Sequence, residues 1–359
     1  MRTLNHLLMS GILLSLAACS QGGGSGGGSG DGGGKSDSVP PVAATGEGCM
    51  GIYGDPPATP TSSPSAIGDV PFETLQACVL RGGELLDWTD AAGNARKACL
   101  HTPAGADPTH PLPLVTFLQG SLFPADPQTL ISGWEFLNGS ADLTGDPERP
   151  GFILLVPYGR DTTHFYPYPD DTGLGWDNWY RNFNRADPAV NLDVAAIDHF
   201  IGAVTGRGIV DPNRIYMSGW SNGAAMAILY TLNTPGVASA AVYSNPDPWV
   251  DAMDPCAQQP FGNNLKPLMY IHNQCDIIGI CHTGGELMTA ALKNTMPQLE
   301  TRSVILDLAQ QNEVEACDQS CNYDGSEAGL FTTGTVRHLT WPLLWNDPMF
   351  QFMKDHPLN

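Results

Sequence analysis

The chain has 359 residues, a formal net charge of -21 and a sequence pI near 4.5. So acidic a molecule repels phosphates instead of gathering them, which excludes nucleic acid as a partner by any electrostatic route. Charged residues make up only 15% while glycine (41) and proline (30) are abundant, a balance that suits a loop-rich exported protein better than a charged cytosolic one.

The N-terminus carries Arg2, an apolar run over residues 7–16, and then Leu16-Ala17-Ala18-Cys19. The run is too short to cross roughly 30 Å of hydrocarbon as a helix, so residues 1–18 read as an export segment. Their close resembles a bacterial lipoprotein signal. That likeness implies cleavage before Cys19, acylation of this cysteine and attachment to a membrane through its lipid, and Ser20 fits sorting to an outer membrane. The alternative is a plain secretory signal in which Cys19 is incidental. Residues 21–38, QGGGSGGGSGDGGGKSDS, have nothing to bury and are expected to form a flexible tether. Residues 55–65 are too rich in proline for a helix or a central strand. Residues 19–69 are therefore expected to be tether and arm, and residues 70–359 a single packed domain.

Of the nine cysteines, setting Cys19 aside leaves eight: Cys49, Cys78, Cys99, Cys256, Cys275, Cys281, Cys317 and Cys321. An even number in an oxidising compartment argues for disulfides. Zinc is the rival, but there is neither a CxxC pair nor a close set of histidines, so no metal is expected. Sequence does not choose among the pairings; Cys275 with Cys281 is the most plausible local one.

Continuous apolar runs at residues 112–118 (LPLVTFL) and 151–157 (GFILLVP) read as buried strands of a parallel sheet, and residues 214–217 (RIYM) and 267–272 (PLMYIH) as further strands. Residues 191–205 have helical spacing, with Asp193 and Asp198 on the wet side, and residues 224–232 are apolar nearly all round, as in a helix buried behind a sheet. Residues 286–292 and 301–314 read as helices, 330–338 as extended, and 347–355 as a closing helix. This alternation predicts an α/β fold, a mostly parallel sheet with helices on both faces.

Gly219-Trp220-Ser221-Asn222-Gly223 sits between the strand at 214–217 and the helix at 224–232. GxSxG is a short pattern, but a strained strand-to-helix turn that exposes a serine hydroxyl needs those flanks and those glycines, which makes Ser221 a candidate nucleophile. A serine hydroxyl needs a base, and the base a carboxylate, in the chain order Ser, Asp, His. Asp276 directly follows the strand at 267–272 and is the preferred acid over Asp254, Asp307, Asp318 and Asp324. His338 is preferred over His282, which shares a loop with Asp276, and over His356, near the chain end. Candidate oxyanion donors are the backbone amides of Asn222 and of Ser121, in the turn Gln119-Gly120-Ser121. Trp220, Trp341, Trp176 and Tyr166 are candidate substrate-binding aromatics; the last two belong to an aromatic-rich stretch between Tyr158 and Tyr180 that is either a ligand platform or a loop packed on itself.

Together with Asp193-Val194, Asp211-Pro212-Asn213-Arg214 and Trp341-Pro342, these motifs resemble the secreted α/β-hydrolase esterases that include poly(3-hydroxyalkanoate) depolymerases, feruloyl esterases and acetylxylan esterases. The likeness covers about residues 95–358. It implies ester hydrolysis through an acyl-enzyme with no cofactor, and leaves the ester open. Three departures stand out: Gln119 where the family has histidine, the cysteine-bracketed loop from Cys275 to Cys281, and one extra residue between His338 and Trp341. A catalytically silent hydrolase fold serving as a surface binding module is the alternative.

Overall fold

Strands that are apolar at every position must be covered on both faces, and the central sheet is built that way. In the computed structural model, the described residues are 72–121, 125–163, 172–176, 185–186, 188, 191–245, 264–274, 276, 289–290, 292–294, 296–306 and 333–358. The strands are β1 (Glu84–Thr89), β2 (Ala95–His101), β3 (Leu112–Leu118), β4 (Ile153–Pro157), β5 (Arg160–Thr163), β6 (Thr172–Gly175), β7 (Val210–Trp220), β8 (Ser239–Tyr243), β9 (Leu268–Asn273) and β10 (Thr301–Leu306). Helices are α1 (Phe72–Leu80), α2 (Ala125–Ser132), α3 (Trp134–Leu137), α4 (Leu192–Thr205), α5 (Asn222–Leu232), α6 (Thr333–His338) and α7 (Asn346–Asp355).

Eight strands form one sheet in the order β1-β2-β4-β3-β7-β8-β9-β10, while β5 and β6 make a separate antiparallel pair. β1, β2 and β4 pair antiparallel, and every pairing from β4 through β3 to β10 is parallel. This is the α/β-hydrolase fold, as the motifs imply. Alternate residues of one strand serve opposite cores. Leu114, Leu118, Met217 and Tyr270 pack with α4 and α5, whereas Val115, Phe117, Tyr216 and Met269 pack with Trp134 of α3 and with Met349, Phe350 and Met353 of α7. α5 is buried on every side, so its lack of a polar stripe is explained by its place against the sheet.

Cys78 and Cys99 form a disulfide that ties α1 to β2. Closing a loop of this length stabilises a fold by about 3 kcal/mol in the chain-entropy picture. Gly83 leaves room for it: a β-carbon there would lie 2.6 Å from Cys99 Sγ and 2.8 Å from Cys78 Sγ. Cys49, Cys256, Cys275, Cys281, Cys317 and Cys321 lie outside the described residues, as do the export segment and tether. Among the described residues no helix is long and apolar enough to cross a membrane.

Three expectations are corrected. Thr301–Leu306 is a strand, not the start of a helix; its β-branched residues Thr301, Val304 and Ile305 suit a half-buried edge beside β9. Thr333–His338 is a helix, not an extended run. Its last carbonyls are taken up by the core: Tyr243 donates to Arg337 O (2.8 Å) and Trp220 Nε1 to His338 O (2.8 Å), which satisfies groups an isolated helix end leaves open. Asp193 does not face water. It is fully buried and binds Arg96 and Arg160, so a helical wheel that places every aspartate outside fails where a cation waits inside.

Candidate active site

β7 ends and α5 begins at one residue, Ser221, whose φ of 55° and ψ of -124° make it one of two non-glycine described residues with positive φ. Such a turn holds a side chain away from the sheet and costs about 1–3 kcal/mol unless its surroundings impose it. Crowding imposes it here. A β-carbon on Gly219 would lie 2.6 Å from Gly223 O, and one on Gly223 would lie 2.1 Å from Gln119 O. Only glycines admit this close passage of backbone past backbone.

The parallel order then brings the carboxyl ends of β7, β8 and β9 side by side. Ser221 Oγ lies 3.0 Å from His338 Nε2, and His338 Nδ1 lies 2.8 Å from Asp276 Oδ1. Asp276 is buried, and so is His338. Two residues that sequence reasoning passed over complete the cluster. The Ser244 hydroxyl, at the end of β8, donates to Asp276 Oδ2 and lies 3.0 Å from His338 Nδ1. Asn273 Nδ2 donates to Asp276 Oδ2 at 3.3 Å and to the Tyr243 hydroxyl at 2.7 Å. The signal that could have found them is position alone: Ser244 follows β8, the neighbour of the strand that leads to Ser221, and Asn273 ends β9, the next strand over. Of the competing groups, His356 is engaged by Glu300 (2.8 Å) and Phe352 O (2.6 Å), while Asp254, Asp307, Asp318, Asp324 and His282 lie outside the described residues.

Facing Ser221 is the turn after β3. A β-carbon on Gly120 would lie 3.2 Å from Ser221 Cβ, so this backbone passes directly beside the serine. The Gly120 amide is used by Gln128 Oε1 (2.8 Å), which leaves the amides of Ser121 and Asn222 as the candidate donors toward an oxyanion. Gln119, where the resembled family has histidine, is fully buried, and its Oε1 accepts from the Gly159 amide at 3.2 Å. Trp176 joins the two halves of this region. Its amide donates to Asn222 Oδ1 (2.7 Å), its carbonyl accepts from Asn222 Nδ2 (3.0 Å), and its indole donates to Gln119 O (3.0 Å). A positioned pair of amides is what an oxyanion site needs, because donors already in place cost nothing to reorganise.

The aromatics expected at the substrate are placed otherwise. Trp176, Trp341 and Trp220 are exposed by only 0%, 3% and 4%, which leaves their rings no face for a ligand. Trp341 instead stands at the centre of an aromatic cluster, 5.4 Å from Trp220, 5.3 Å from Tyr243 and 5.8 Å from Trp134 between ring centroids. Its indole donates to Asn346 Oδ1 at 2.8 Å, as does that of Trp134. These rings brace the segment carrying His338 from behind. Tyr166 lies outside the described residues. The Asp211-Pro212-Asn213-Arg214 stretch is likewise a clamp, since Arg214 Nη1 donates to Leu143 O at 3.0 Å and Asn213 O accepts from the Leu358 amide at 2.8 Å. Among the described residues no group of three or more His, Cys, Asp or Glu could hold a metal ion.

No family model and no curated protein matches the chain. Among solved structures it is similar to an S-formylglutathione hydrolase from Agrobacterium tumefaciens, at 13% identity and a TM-score of 0.46, over 76% of this chain and 95% of that one. It is similar also to the esterase of the archaeon Pyrobaculum calidifontis, at 14% identity and a TM-score of 0.41, over 66% of this chain and 80% of that one. A third likeness is to Porphyromonas gingivalis dipeptidyl peptidase 4, at 15% identity and a TM-score of 0.41 over 76% of this chain, which spans 35% of the peptidase's length. Likenesses this distant carry no argument about chemistry, which rests on the chain's own residues.

Proposed function

We propose that the protein is a serine carboxylic-ester hydrolase working through an acyl-enzyme. The observation that carries this is the line of contacts from Ser221 Oγ to His338 Nε2 (3.0 Å) and from His338 Nδ1 to Asp276 Oδ1 (2.8 Å), with Ser221 held on a strained turn. His338 takes the hydroxyl proton as Ser221 Oγ attacks the ester carbonyl, and Asp276 stabilises the imidazolium that forms. The Ser121 and Asn222 amides receive the oxyanion. The imidazolium then protonates the leaving alkoxide, and water, activated by the same imidazole, releases the acid. No cofactor enters this sequence.

The finer reading follows from the resemblance: an exported, lipid-anchored enzyme, tethered through Cys19 to an outer membrane, whose substrate is a polyester, aromatic or polysaccharide-linked ester. Residues 70–359 are its catalytic domain. Ser221→Ala is expected to lower kcat on p-nitrophenyl acetate by about 10⁶-fold. A panel of methyl ferulate, acetylated xylan and poly(3-hydroxybutyrate), presented to the protein freed of its tether, ranks the esters, and loss of radiolabelled palmitate in Cys19→Ala checks the anchor. Unchanged hydrolysis in Ser221→Ala removes the nucleophile assignment; no hydrolysis and no labelling by a fluorophosphonate in the wild type leave a binding module instead.

A further inference from the structure

Ser244 closes β8 with a φ of 54°, the conformation that among non-glycine described residues it shares only with Ser221. Glycine or asparagine is the default at such a position, since a side chain there crowds its own backbone. The backbone is pinned by the amide of Ser244, which donates to Ile271 O at 2.8 Å across to β9. The side chain is fully buried, and both of its polar contacts are to the two residues that stand behind the nucleophile.

We propose that Ser244 is a positioning residue of the His338–Asp276 pair, one that orients the carboxylate and reinforces, as a second acceptor, the His338 tautomer that Asp276 Oδ1 sets. This deepens the reading of Ser221, His338 and Asp276 as a triad and rests on it. A carboxylate only accepts, so the single hydroxyl proton of Ser244 goes to Asp276 Oδ2. Its oxygen, 3.0 Å from His338 Nδ1, then has only lone pairs to offer that nitrogen. Nδ1 therefore carries the ring proton, shared between Ser244 Oγ and Asp276 Oδ1 at 2.8 Å. Nε2 is left unprotonated toward Ser221 Oγ, the form in which it can act as a base. The same two acceptors face Nδ1–H when the ring becomes an imidazolium. Asn273 holds Oδ2 from another side at 3.3 Å, so the carboxylate is kept in one orientation by two donors on two neighbouring strand ends.

Ser244→Gly separates the hydroxyl from the backbone, because glycine adopts the positive φ without strain. The variant is expected to unfold at the wild-type temperature or above it, with KM on p-nitrophenyl acetate unchanged and kcat lowered about ten- to a hundredfold, the range of a hydrogen bond to a charged group. Labelling of Ser221 by a fluorophosphonate, located by mass spectrometry, should slow by the same factor. The low-field proton resonance of His338 Nδ1–H should broaden or vanish in Ser244→Gly. Ser244→Ala should show the same kcat and, in addition, a lowered Tm. Wild-type kcat and labelling in Ser244→Gly overturn the proposal while leaving the triad standing, and so does a defect confined to Ser244→Ala. A wild-type protein that is not labelled at Ser221 overturns the triad and this proposal with it.

Discussion

Two buried carboxylates of this fold keep different company, and their partners divide the work. Asp193 Oδ1 accepts from Arg96 Nη2 at 2.8 Å and from Arg160 Nε at 3.1 Å, all three side chains being fully buried. Its charge is permanently neutralised, and it fastens α4 to β2 and β5. Asp276 faces the His338 ring, the Ser244 hydroxyl and the Asn273 side-chain amide. In the proposed reaction this carboxylate faces a cation that exists for one step only. Fixed cations make the first carboxylate a rivet, whereas in the proposed mechanism a ring that gains a proton for one step makes the second a catalytic partner.

The contrast is sharpest where the two groups are changed in the same way. Asp276→Asn preserves the shape but presents an amide to His338 Nδ1 and favours the wrong tautomer, so kcat is expected to fall about 10⁴-fold with little change in Tm. Steady-state kinetics beside a thermal melt separates the two effects. Asp193→Asn should do the reverse. It leaves two buried guanidiniums without their shared anion, a change expected to cost about 3–5 kcal/mol in a urea titration, while kcat per folded molecule stays within about twofold of wild type. A large kcat loss with intact stability in Asp193→Asn, or a large stability loss with intact kcat in Asp276→Asn, breaks the distinction between rivet and catalyst.

How much of this was legible in the sequence follows from the same physics. Ser221 was readable because a strained elbow needs glycines on either side and a strand and a helix beyond, all local features. Asp276 and His338 were readable by order along the chain, although His338 was expected on an extended segment and sits at the end of a helix whose carbonyls are closed by Trp220 and Tyr243. Ser244 was not, because β8 is a short Ser-Ala-Ala-Val-Tyr run with little strand propensity, and without that strand its end has no address. The role of Asp193 was hidden for a different reason. Arg96 lies 97 positions away and Arg160 33, and a buried ion pair writes no periodic pattern into either segment. The three tryptophans misled because a large aromatic near a motif looks the same whether it lines a pocket or fills the core behind it.

A second histidine and carboxylate extend the comparison and give the smallest of these effects. His101 Nε2 lies 3.8 Å from Glu135 Oε2, but Arg81 Nε already donates to that oxygen at 2.9 Å. With its carboxylate claimed, His101 has no anion of its own, and burial, helped by the charge of Arg81, pushes it down from 6.5 to about 4. Below pH 6.5 the unfolded chain therefore takes up a proton that the folded protein refuses, so stability is retained above 6.5 and drains away as the pH falls toward 4. Glu135, raised by its own burial against the pull of Arg81, works the other way at the lower end, where the folded state takes up a proton before the unfolded chain does. Between pH 6.5 and 5 the histidine dominates, and the loss amounts to about 2 kcal/mol. His101→Gln, which keeps a polar side chain without a titrating ring, should flatten that stretch of a urea-midpoint profile and leave the profile near neutrality in place. An equal slope in the variant would mean that the acid sensitivity belongs elsewhere, and that a histidine whose carboxylate is already taken is as harmless to this fold as one with a partner.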